Sequence, residues 1–351
     1  MHSSTVRGFR WRVLISLAAV SLILGACGGG DGAGDDTTPP TTGDSPTETS
    51  VGSPSTTAGE GTGGDWPEEL VFAAVPSEEA TELVDSWQPL LDALSARLDI
   101  PIEFVSATDY AAVVEAQVAE RADFAFYGPF GYVVARNAGA DIQAVVAQID
   151  APEAPPGYQS YLVTTADRDD INEVADLAGK TACLVDPSST SGGLYPLAMM
   201  LDAGLDPDAD LTATYTGAHD ASVLAMLAGD CDAAFAFDTM VERVLPERGQ
   251  YELDEIKIVD KSEVIPGSPI AVGNWLPQDL IDAIQEYLVE INAELLFDEG
   301  LCPEGRVVDE EGVQMCRIGD EARWGAEPVD DAYYDGIRVV CELTEAPACE
   351  G

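Results

Sequence analysis

The chain has 351 residues and is strongly acidic, with 64 aspartate and glutamate residues, 16 lysine and arginine residues, and a formal net charge of −48. This charge argues against nucleic acid as a partner and indicates a solvated acidic surface rather than a site for cationic partners. The length allows two ordinary domains, or one domain of two lobes, with a sizeable buried core.

The first 26 residues have the pattern of a bacterial export signal. Three arginines precede the apolar run VLISLAAVSLILGA, which is too short to span a bilayer comfortably. The ending Leu24-Gly25-Ala26-Cys27 resembles the lipobox of bacterial lipoproteins. That resemblance implies that residues 1–26 are removed and that Cys27 carries a lipid. The alternative is a soluble secreted protein with a stray cysteine.

Residues 27–66 are predicted to be a disordered tether. From 28 to 65 the chain consists mainly of Gly, Ser, Thr, Pro and Asp, and Val51 is its only sizeable apolar side chain. Such a segment cannot bury enough apolar surface to offset the entropy of ordering. We therefore expect it to hold a folded body away from the membrane surface.

Predicted strands then alternate with predicted helices in two successive series. The first series has strand-like runs at 70–76, 100–106 and 123–128, with helical patterns at 84–98 and 109–122 between them. The second starts at 158–166 and continues with strands KTACLV, TATYTG (212–217) and CDAAFAFD (231–238), with helices between them. The run at 256–272 and a long amphipathic helix at 278–297 follow. This alternation predicts an α/β fold with mostly parallel sheets.

Six cysteines remain when Cys27 is set aside, and an even number outside the cytoplasm suggests disulfides. The candidates are Cys183, Cys231, Cys302, Cys316, Cys341 and Cys349. Cys183 and Cys231 each lie at the edge of a strand-like run and could pair across neighbouring strands. The other four flank an acidic insert and close the C-terminus. Because the chain has no CxxC spacing and no cysteine–histidine set, we expect neither a metal site nor a cofactor.

Four stretches resemble a known family in order and spacing: YGPFGYV (127–133), DPSSTSGGLYP (186–196), TGAHDASVLAMLAGDCDAAF (216–235) and IPGSPIAV (265–272). The layout is similar to that of two-lobed periplasmic solute-binding proteins. More narrowly, these motifs resemble the phosphonate-binding family of ABC importers. The resemblance implies a type II periplasmic-binding-protein fold, with a ligand cleft between the lobes. It places lobe 1 at 67–163, lobe 2 at 164–264, and a return to lobe 1 with a disulfide-stapled C-terminal extension at 265–351.

The family resemblance also implies a function. We expect a monomeric, lipid-anchored protein on the extracytoplasmic face of the cell membrane, which captures a small phosphorus oxyanion (phosphonate, phosphite or phosphate) and delivers it to ABC permease subunits. A different small oxyanion, such as a sulfonate, stays open as an alternative.

The loop DPSSTSGG (186–193) is the main candidate for binding the anion. It follows a predicted strand and leads into a predicted helix, so unsatisfied backbone N–H groups and the helix dipole would face the ligand. Ser189, Thr190 and Ser191 add hydroxyl donors, and the two glycines allow close approach of the backbone. By itself, such a loop could equally be a turn or a helix N-cap.

Other candidates come from neighbouring elements. His219 is the only histidine after signal cleavage, and it could donate to an oxyanion, more strongly when protonated. The resemblance implies a ligand contact at this position. Tyr127 and Tyr110 would donate from the first lobe, and Asp238 aligns with a position that reaches the far end of the ligand in relatives.

Ser268 marks a departure from the family pattern. Where relatives that bind aminoalkylphosphonates carry an acid in a P-x-D-P turn, this chain reads Pro266-Gly267-Ser268-Pro269. The missing carboxylate argues against a substrate amine and favours phosphite, phosphate or methylphosphonate.

A serine hydrolase is the alternative from another class of protein. Ser191, His219 and Asp238 occur in the chain order nucleophile, base, orienting acid. However, the GxSxG elbow that such α/β enzymes use is missing around STSGG, and we therefore expect no catalytic residues and no enzyme activity.

Overall fold

The computed structural model describes residues 66–302, 306–308, 314–319 and 324–350. The predicted export signal at 1–26, the lipid-bearing Cys27 and all of the predicted tether except Trp66 lie outside the described residues. Each of these expectations stays a prediction.

The first part of the chain builds a β-α-β series. Its elements are β1 (Leu70–Ala74), α1 (Ala80–Leu98), β2 (Ile102–Ser106), α2 (Tyr110–Val118), β3 (Phe124–Phe126), α3 (Pro129–Asn137) and β4 (Ile142–Ile149). β1 pairs in parallel with both β2 and β3, as expected when helices connect the strands. The rings of Phe72, Trp87, Phe124 and Phe126 pack together with centroids 4.7 to 5.1 Å apart and form the core of this lobe.

The short strand β5 (Gly157–Tyr158) leads into a second series. Its elements are β6 (Ser160–Thr165), β7 (Thr181–Leu184), α4 (Tyr195–Asp202), β8 (Thr212–Tyr215), α5 (His219–Ala228), β9 (Ala233–Phe237), α6 (Leu245–Glu247) and β10 (Ile256–Lys261). They form a separate sheet in the order β10-β6-β9-β7-β8, with a core of its own around Leu162, Leu184 and Phe235.

The chain then returns to the first sheet. This part contains β11 (Ile265–Pro266), β12 (Pro269–Gly273), α7 (Gln278–Glu290), α8 (Ala293–Asp298), β13 (Arg306–Val308), β14 (Gln314–Cys316), β15 (Gly325–Pro328) and α9 (Asp335–Thr344). β12 and β15 complete a first sheet in the order β15-β4-β12-β3-β1-β2. The returning strands pair antiparallel with their neighbours, whereas the β-α-β cores of both sheets are parallel. Both sheets are therefore mixed, and the prediction of mostly parallel sheets was wrong.

The two sheets define two lobes, joined by a ribbon in which β5 pairs with β11. The chain crosses between residues 149 and 160, because β6 belongs entirely to the second sheet. The boundary predicted at 163/164 therefore falls inside β6. The hydrophobic pattern of a strand shows that the strand is buried but not to which sheet it belongs. The point where the chain crosses between the lobes could therefore not be predicted from the sequence.

All six candidate cysteines form disulfides: Cys183–Cys231, Cys302–Cys316 and Cys341–Cys349. Cys183 lies in β7, and Cys231 lies just before β9, which is the parallel neighbour of β7. This bond closes a sequence separation of 48 residues. In the chain-entropy model a loop of that length stabilises the fold by about 4 kcal/mol. The predicted pairing across neighbouring strands is confirmed.

The C-terminal extension contacts both lobes. β15 forms the edge of the first sheet against β4, and α9 packs against α3 of the first lobe and α4 of the second. The hydroxyl of Tyr132 donates to Asp331 at 2.8 Å and holds the extension on α3.

Candidate ligand-binding site

The serine loop forms the N-terminus of a helix. β7 ends at Leu184, and after a tight turn Ser189 caps a π-helical turn, Thr190–Leu194, that continues directly into α4. The Ser189 hydroxyl accepts the backbone N–H of Gly192 at 3.1 Å. Such turns leave backbone N–H groups at the helix start without partners inside the helix. The loop is therefore an N-cap, and its buried first turn is suited to an anion.

Gly193 allows the loop to fold back on itself. A β-carbon at this position would lie 2.2 Å from the carbonyl oxygen of Asp186 and 3.2 Å from that of Pro187. Both obstacles are backbone atoms, so they cannot turn aside as a side chain could. Glycine is required here for the close approach of two backbone segments.

His219 begins α5 and is held by three hydrogen bonds. Its backbone N–H donates to the carbonyl oxygen of Ser77 in the first lobe at 2.8 Å. The backbone N–H of Phe237 donates to Nδ1 at 3.3 Å, so the neutral ring carries its proton on Nε2. Nε2 lies 3.3 Å from the Ser189 hydroxyl. The imidazole is thereby oriented as an N–H donor toward the serine loop.

The side chain of His219 is neutral. Burial in the protein lowers the pKa of His219 from 6.5 to about 3. This outcome differs from the expectation that protonation would strengthen its bond to an anion. The sequence placed the histidine at the start of a helix, but the low dielectric around the buried ring, which disfavours its charged form, comes from packing.

These residues line one small cavity between the lobes. Six of the residues predicted from the sequence lie in its wall: Tyr110, Ser189, Thr190, Ser191, His219 and Ser268. Sequence reasoning missed six others: Val75, Ser77, Phe126, Gly128, Tyr158 and Phe237. The cavity volume is about 20 Å³, measured as the space that the centre of a water molecule can occupy. By the same measure, a single water needs about 10–15 Å³. It therefore suits a very small solute.

Four helices start at this cavity. α2 begins at Tyr110, α3 begins directly after Gly128, the π-helical turn begins at Thr190, and α5 begins at His219. Each N-terminus contributes partial positive charge. Among the described residues that line the cavity, none has a charged side chain when His219 is neutral. The helix N-termini therefore favour an anion in the cavity, although the protein as a whole carries a net negative charge.

Direct contacts between the lobes border the cavity. The backbone N–H of Phe130 in α3 donates to the Thr190 hydroxyl at 2.9 Å. A β-carbon at Gly128 would lie 2.9 Å from the same hydroxyl oxygen. Thr190 thus contacts the first lobe directly, and its hydroxyl joins the two halves of the cavity.

Tyr127 and Asp238 were predicted as contacts but do not line this cavity. Tyr127 is fully buried and its hydroxyl donates to the carbonyl oxygen of Val113 at 3.3 Å. The Asp238 carboxylate accepts the backbone N–H groups of Gln159 at 3.0 Å and Thr239 at 2.8 Å. Successive side chains of an extended chain point to opposite faces, and in both places the neighbouring residue, Phe126 or Phe237, faces the cavity instead.

Of the residues that the sequence reasoning missed, Ser77 had a usable signal. It follows the end of β1 and precedes α1, as the serine loop follows β7 and precedes α4. Tyr158 lies in the crossing ribbon, and its position in the cavity depends on pairing between β5 and β11, which are far apart in sequence. No local pattern could have indicated that position.

The arrangement expected of a serine hydrolase is not formed. A catalytic base needs an orienting group that accepts a hydrogen bond from its Nδ1–H. Here Nδ1 of His219 instead accepts the N–H of Phe237, and Nε2 faces Ser189 rather than Ser191. The geometry supports hydrogen-bond donation to a bound anion and not proton abstraction from a nucleophile.

Comparisons with known proteins agree with this geometry. Residues 72–333 match the family described as ABC transporter, phosphonate, periplasmic substrate-binding protein. The chain is 38% identical to the phosphate-import protein PhnD of Mycolicibacterium smegmatis over 348 residues, which cover 97% of this chain and 98% of the relative.

Two solved structures share the fold. One is a binding-protein component of a phosphonate ABC transporter from Pseudomonas aeruginosa, with a TM-score of 0.65 and 21% identity over 80% of this chain and 87% of that one. The other is PhnD1 from Prochlorococcus marinus in complex with methylphosphonate, with a TM-score of 0.65 and 16% identity over 80% of this chain and 99% of that one.

The chain belongs to the phosphonate-binding family of periplasmic substrate-binding proteins of ABC transporters. This membership confirms the predicted two-lobed fold and confirms that the protein is a substrate-binding protein and not an enzyme. Within the part of the chain that the structure describes, no helix has the length and apolar character needed to cross a membrane.

Proposed function

We propose that this protein captures phosphate, phosphite or methylphosphonate outside the cytoplasm and delivers it, as a monomer, to the permease of an ABC importer. The observation that carries this proposal is the convergence of four helix N-termini on one small cavity without a charged side chain. Neutral donors at helix starts bind a tetrahedral oxyanion without the desolvation of a buried cation.

Two features favour a ligand without an amine. The cavity is small, which disfavours a ligand with a bulky substituent. Ser268, which is 1% exposed, lies in the cavity wall. The resemblance to relatives that bind aminoalkylphosphonates implies an acid at this position, which this chain lacks. A hydroxyl there offers no counter-charge to an ammonium group.

The relatives support the same class of ligand. The relative from Mycolicibacterium smegmatis is named for phosphate import, and the Prochlorococcus marinus structure contains methylphosphonate. Both ligands are small tetrahedral phosphorus oxyanions. We carry this class over to the present chain as part of the proposal.

Delivery would depend on closure of the lobes around the anion. The second lobe contributes the serine loop and His219, while the first contributes Tyr110 and the start of α3. Neither half surrounds the ligand alone, so binding favours the closed form, which the permease recognises.

A panel of ligands tests the proposal by thermal unfolding. Protein unfolded and refolded to remove carried-over ligand is melted with phosphate, phosphite, methylphosphonate, 2-aminoethylphosphonate, sulfate or methanesulfonate. At least one of the first three should raise the unfolding free energy by about 2.7 kcal/mol at a hundredfold excess over Kd. Thr190→Val, which removes a hydroxyl from the cavity wall, should reduce that shift. If only sulfate or methanesulfonate shifts the melting temperature, or if no ligand does, the proposal is wrong.

We further propose that the mature protein is lipid-anchored through Cys27. The supporting feature is the Leu24-Gly25-Ala26-Cys27 sequence at the end of the basic and apolar leader. The wild-type protein should partition into the detergent phase of a cell extract, and Cys27→Ser should appear in the aqueous phase. Detergent partitioning of Cys27→Ser equal to that of wild type would rule out this anchor.

A further inference from the structure

One ion pair crosses the seam between the lobes beside the ligand cavity. Arg248, which follows α6 in the second lobe, pairs with Glu78, which precedes α1 in the first. The Glu78 side chain is fully buried and that of Arg248 is 15% exposed. Arg248 also lies 3.4 Å from Glu82. Ser77, the neighbour of Glu78, lines the cavity. Because the two partners belong to different lobes, separation of the lobes at the cavity would part them.

A second ion pair joins the two lobes at the same place, but here the arginine belongs to the first lobe and the glutamate to the second. Arg317 lies 3.4 Å from Glu247, the residue before Arg248 in the second lobe. Arg317 itself is held on the first lobe: the preceding residue, Cys316, is disulfide-bonded to Cys302. Two residues further on, the backbone N–H of Gly319 donates to the carbonyl oxygen of Ser86 in α1 at 3.1 Å. The disulfide-stapled extension therefore presents an arginine at the seam.

The charges of the four residues interact across both pairs. Burial raises the pKa of Glu78, while Arg248 and, more weakly, Arg317 act to lower it. The ionised form of Glu78 thus depends on the two arginines when the lobes are closed. In a chain with only 16 basic residues and a net charge of −48, closing two acidic lobes brings like charges together. Two arginines between the lobes offset part of that repulsion.

We propose that these four residues form an inter-lobe latch that determines how long the ligand is retained: Glu78, Arg248, Glu247 and Arg317. They are positioning residues, since none of them lines the cavity. The part of the inference that concerns ligand release rests on the proposed function, whereas the part that concerns lobe closure does not.

The energetic argument concerns what happens when one partner is removed. In the open protein, water solvates Glu78 and Arg248 separately, so loss of one side chain has little effect there. In the closed protein, loss of one partner leaves the other charge buried and unpaired, which is strongly unfavourable. Arg248→Gln should therefore destabilise the closed form selectively, and Arg317→Gln should do so to a smaller extent because its pair is more exposed.

Two measurements on the full mature protein test the latch. The first is the dissociation rate of inorganic phosphate and of methylphosphonate, which Arg248→Gln should increase by at least about tenfold. The second is the distance between spin labels at Glu103→Cys in the first lobe and Asp254→Cys in the second, measured without ligand, which should lengthen in both latch variants. Arg97→Gln is the matched control, because it removes the same charge from a 2.8 Å pair with Glu299 that lies within the first lobe.

The two readouts separate failure of the latch from failure of the proposed function. If neither phosphate nor methylphosphonate binds, the proposed ligand class is wrong, but the inter-lobe distance still tests the latch. If Arg248→Gln leaves both the dissociation rate and the distance as in wild type, the latch is wrong. The same conclusion follows if Arg97→Gln produces equal changes, since the effect would then be one of net charge.

Discussion

Replacing Gly193 by alanine is expected to weaken phosphate or methylphosphonate binding by at least about a hundredfold, or ~2.7 kcal/mol. The new β-carbon would lie 2.2 Å from the carbonyl oxygen of Asp186. Because that oxygen belongs to the backbone, the whole loop must shift, and the first turn of the helix shifts with it. Isothermal titration of the purified variant measures the loss directly.

Gly336 provides the matched control for this substitution. It lies in α9 and does not line the cavity, and a β-carbon there would meet no heavy atom within 4 Å. Gly336→Ala should bind as wild type does and should be slightly more stable, because alanine is the better helix former by about 1 kcal/mol. Circular dichroism and melting temperature show whether Gly193→Ala is folded. A folded Gly193→Ala that binds like wild type would contradict the assignment of the loop as the anion site.

A second large effect is expected in the pH dependence of stability. Burial lowers the pKa of His219 to about 3, whereas in the unfolded chain it titrates near 6.5. Between these values the unfolded state binds more protons than the native state, so the free energy of unfolding falls as the pH falls. The limiting slope from this one group is about 1.4 kcal/mol per pH unit. Above pH 6.5 the contribution is constant.

The His219→Gln variant isolates this contribution from the many carboxylates. The acids titrate in both proteins, so they cancel in the difference between the two stability curves. From pH 6 to pH 4, ligand-free wild type should lose more unfolding free energy than the variant, with the difference growing by about 1.4 kcal/mol per pH unit. Parallel curves would mean that His219 protonates normally in the native protein. The imidazole proton resonances of His219 give an independent titration.

Much of the architecture follows from local pattern. The alternation of apolar runs with helical spacing predicted the β-α-β order of both lobes, and the cysteines bordering KTACLV and CDAAFAFD predicted the Cys183–Cys231 pairing. The serine loop was predicted at the start of a helix because a strand and a helix flank it. Apart from the disulfide, these features depend on residues close together in sequence, so hydrophobic periodicity and composition indicate them directly.

Other features depend on contacts between distant segments. Tyr127 was expected in the cavity, but Phe126 faces it, because the side of a strand that meets the cleft is decided by what packs on the other side. The crossing point before β6 depends on which sheet buries that strand. Likewise, the role of Arg317 depends on a disulfide and on a partner in the other lobe.

The amino-acid sequence by itself determined the family, the order of elements and the residues of the candidate anion site: hydroxyls, glycines and a histidine at the starts of helices. The tertiary structure decided the properties that depend on burial and on contact between lobes. It made His219 a neutral donor, because the lobes exclude water from the ring. It also brought four helix starts to one cavity and placed an ion-pair latch at its edge, because closure joins surfaces that are far apart along the chain.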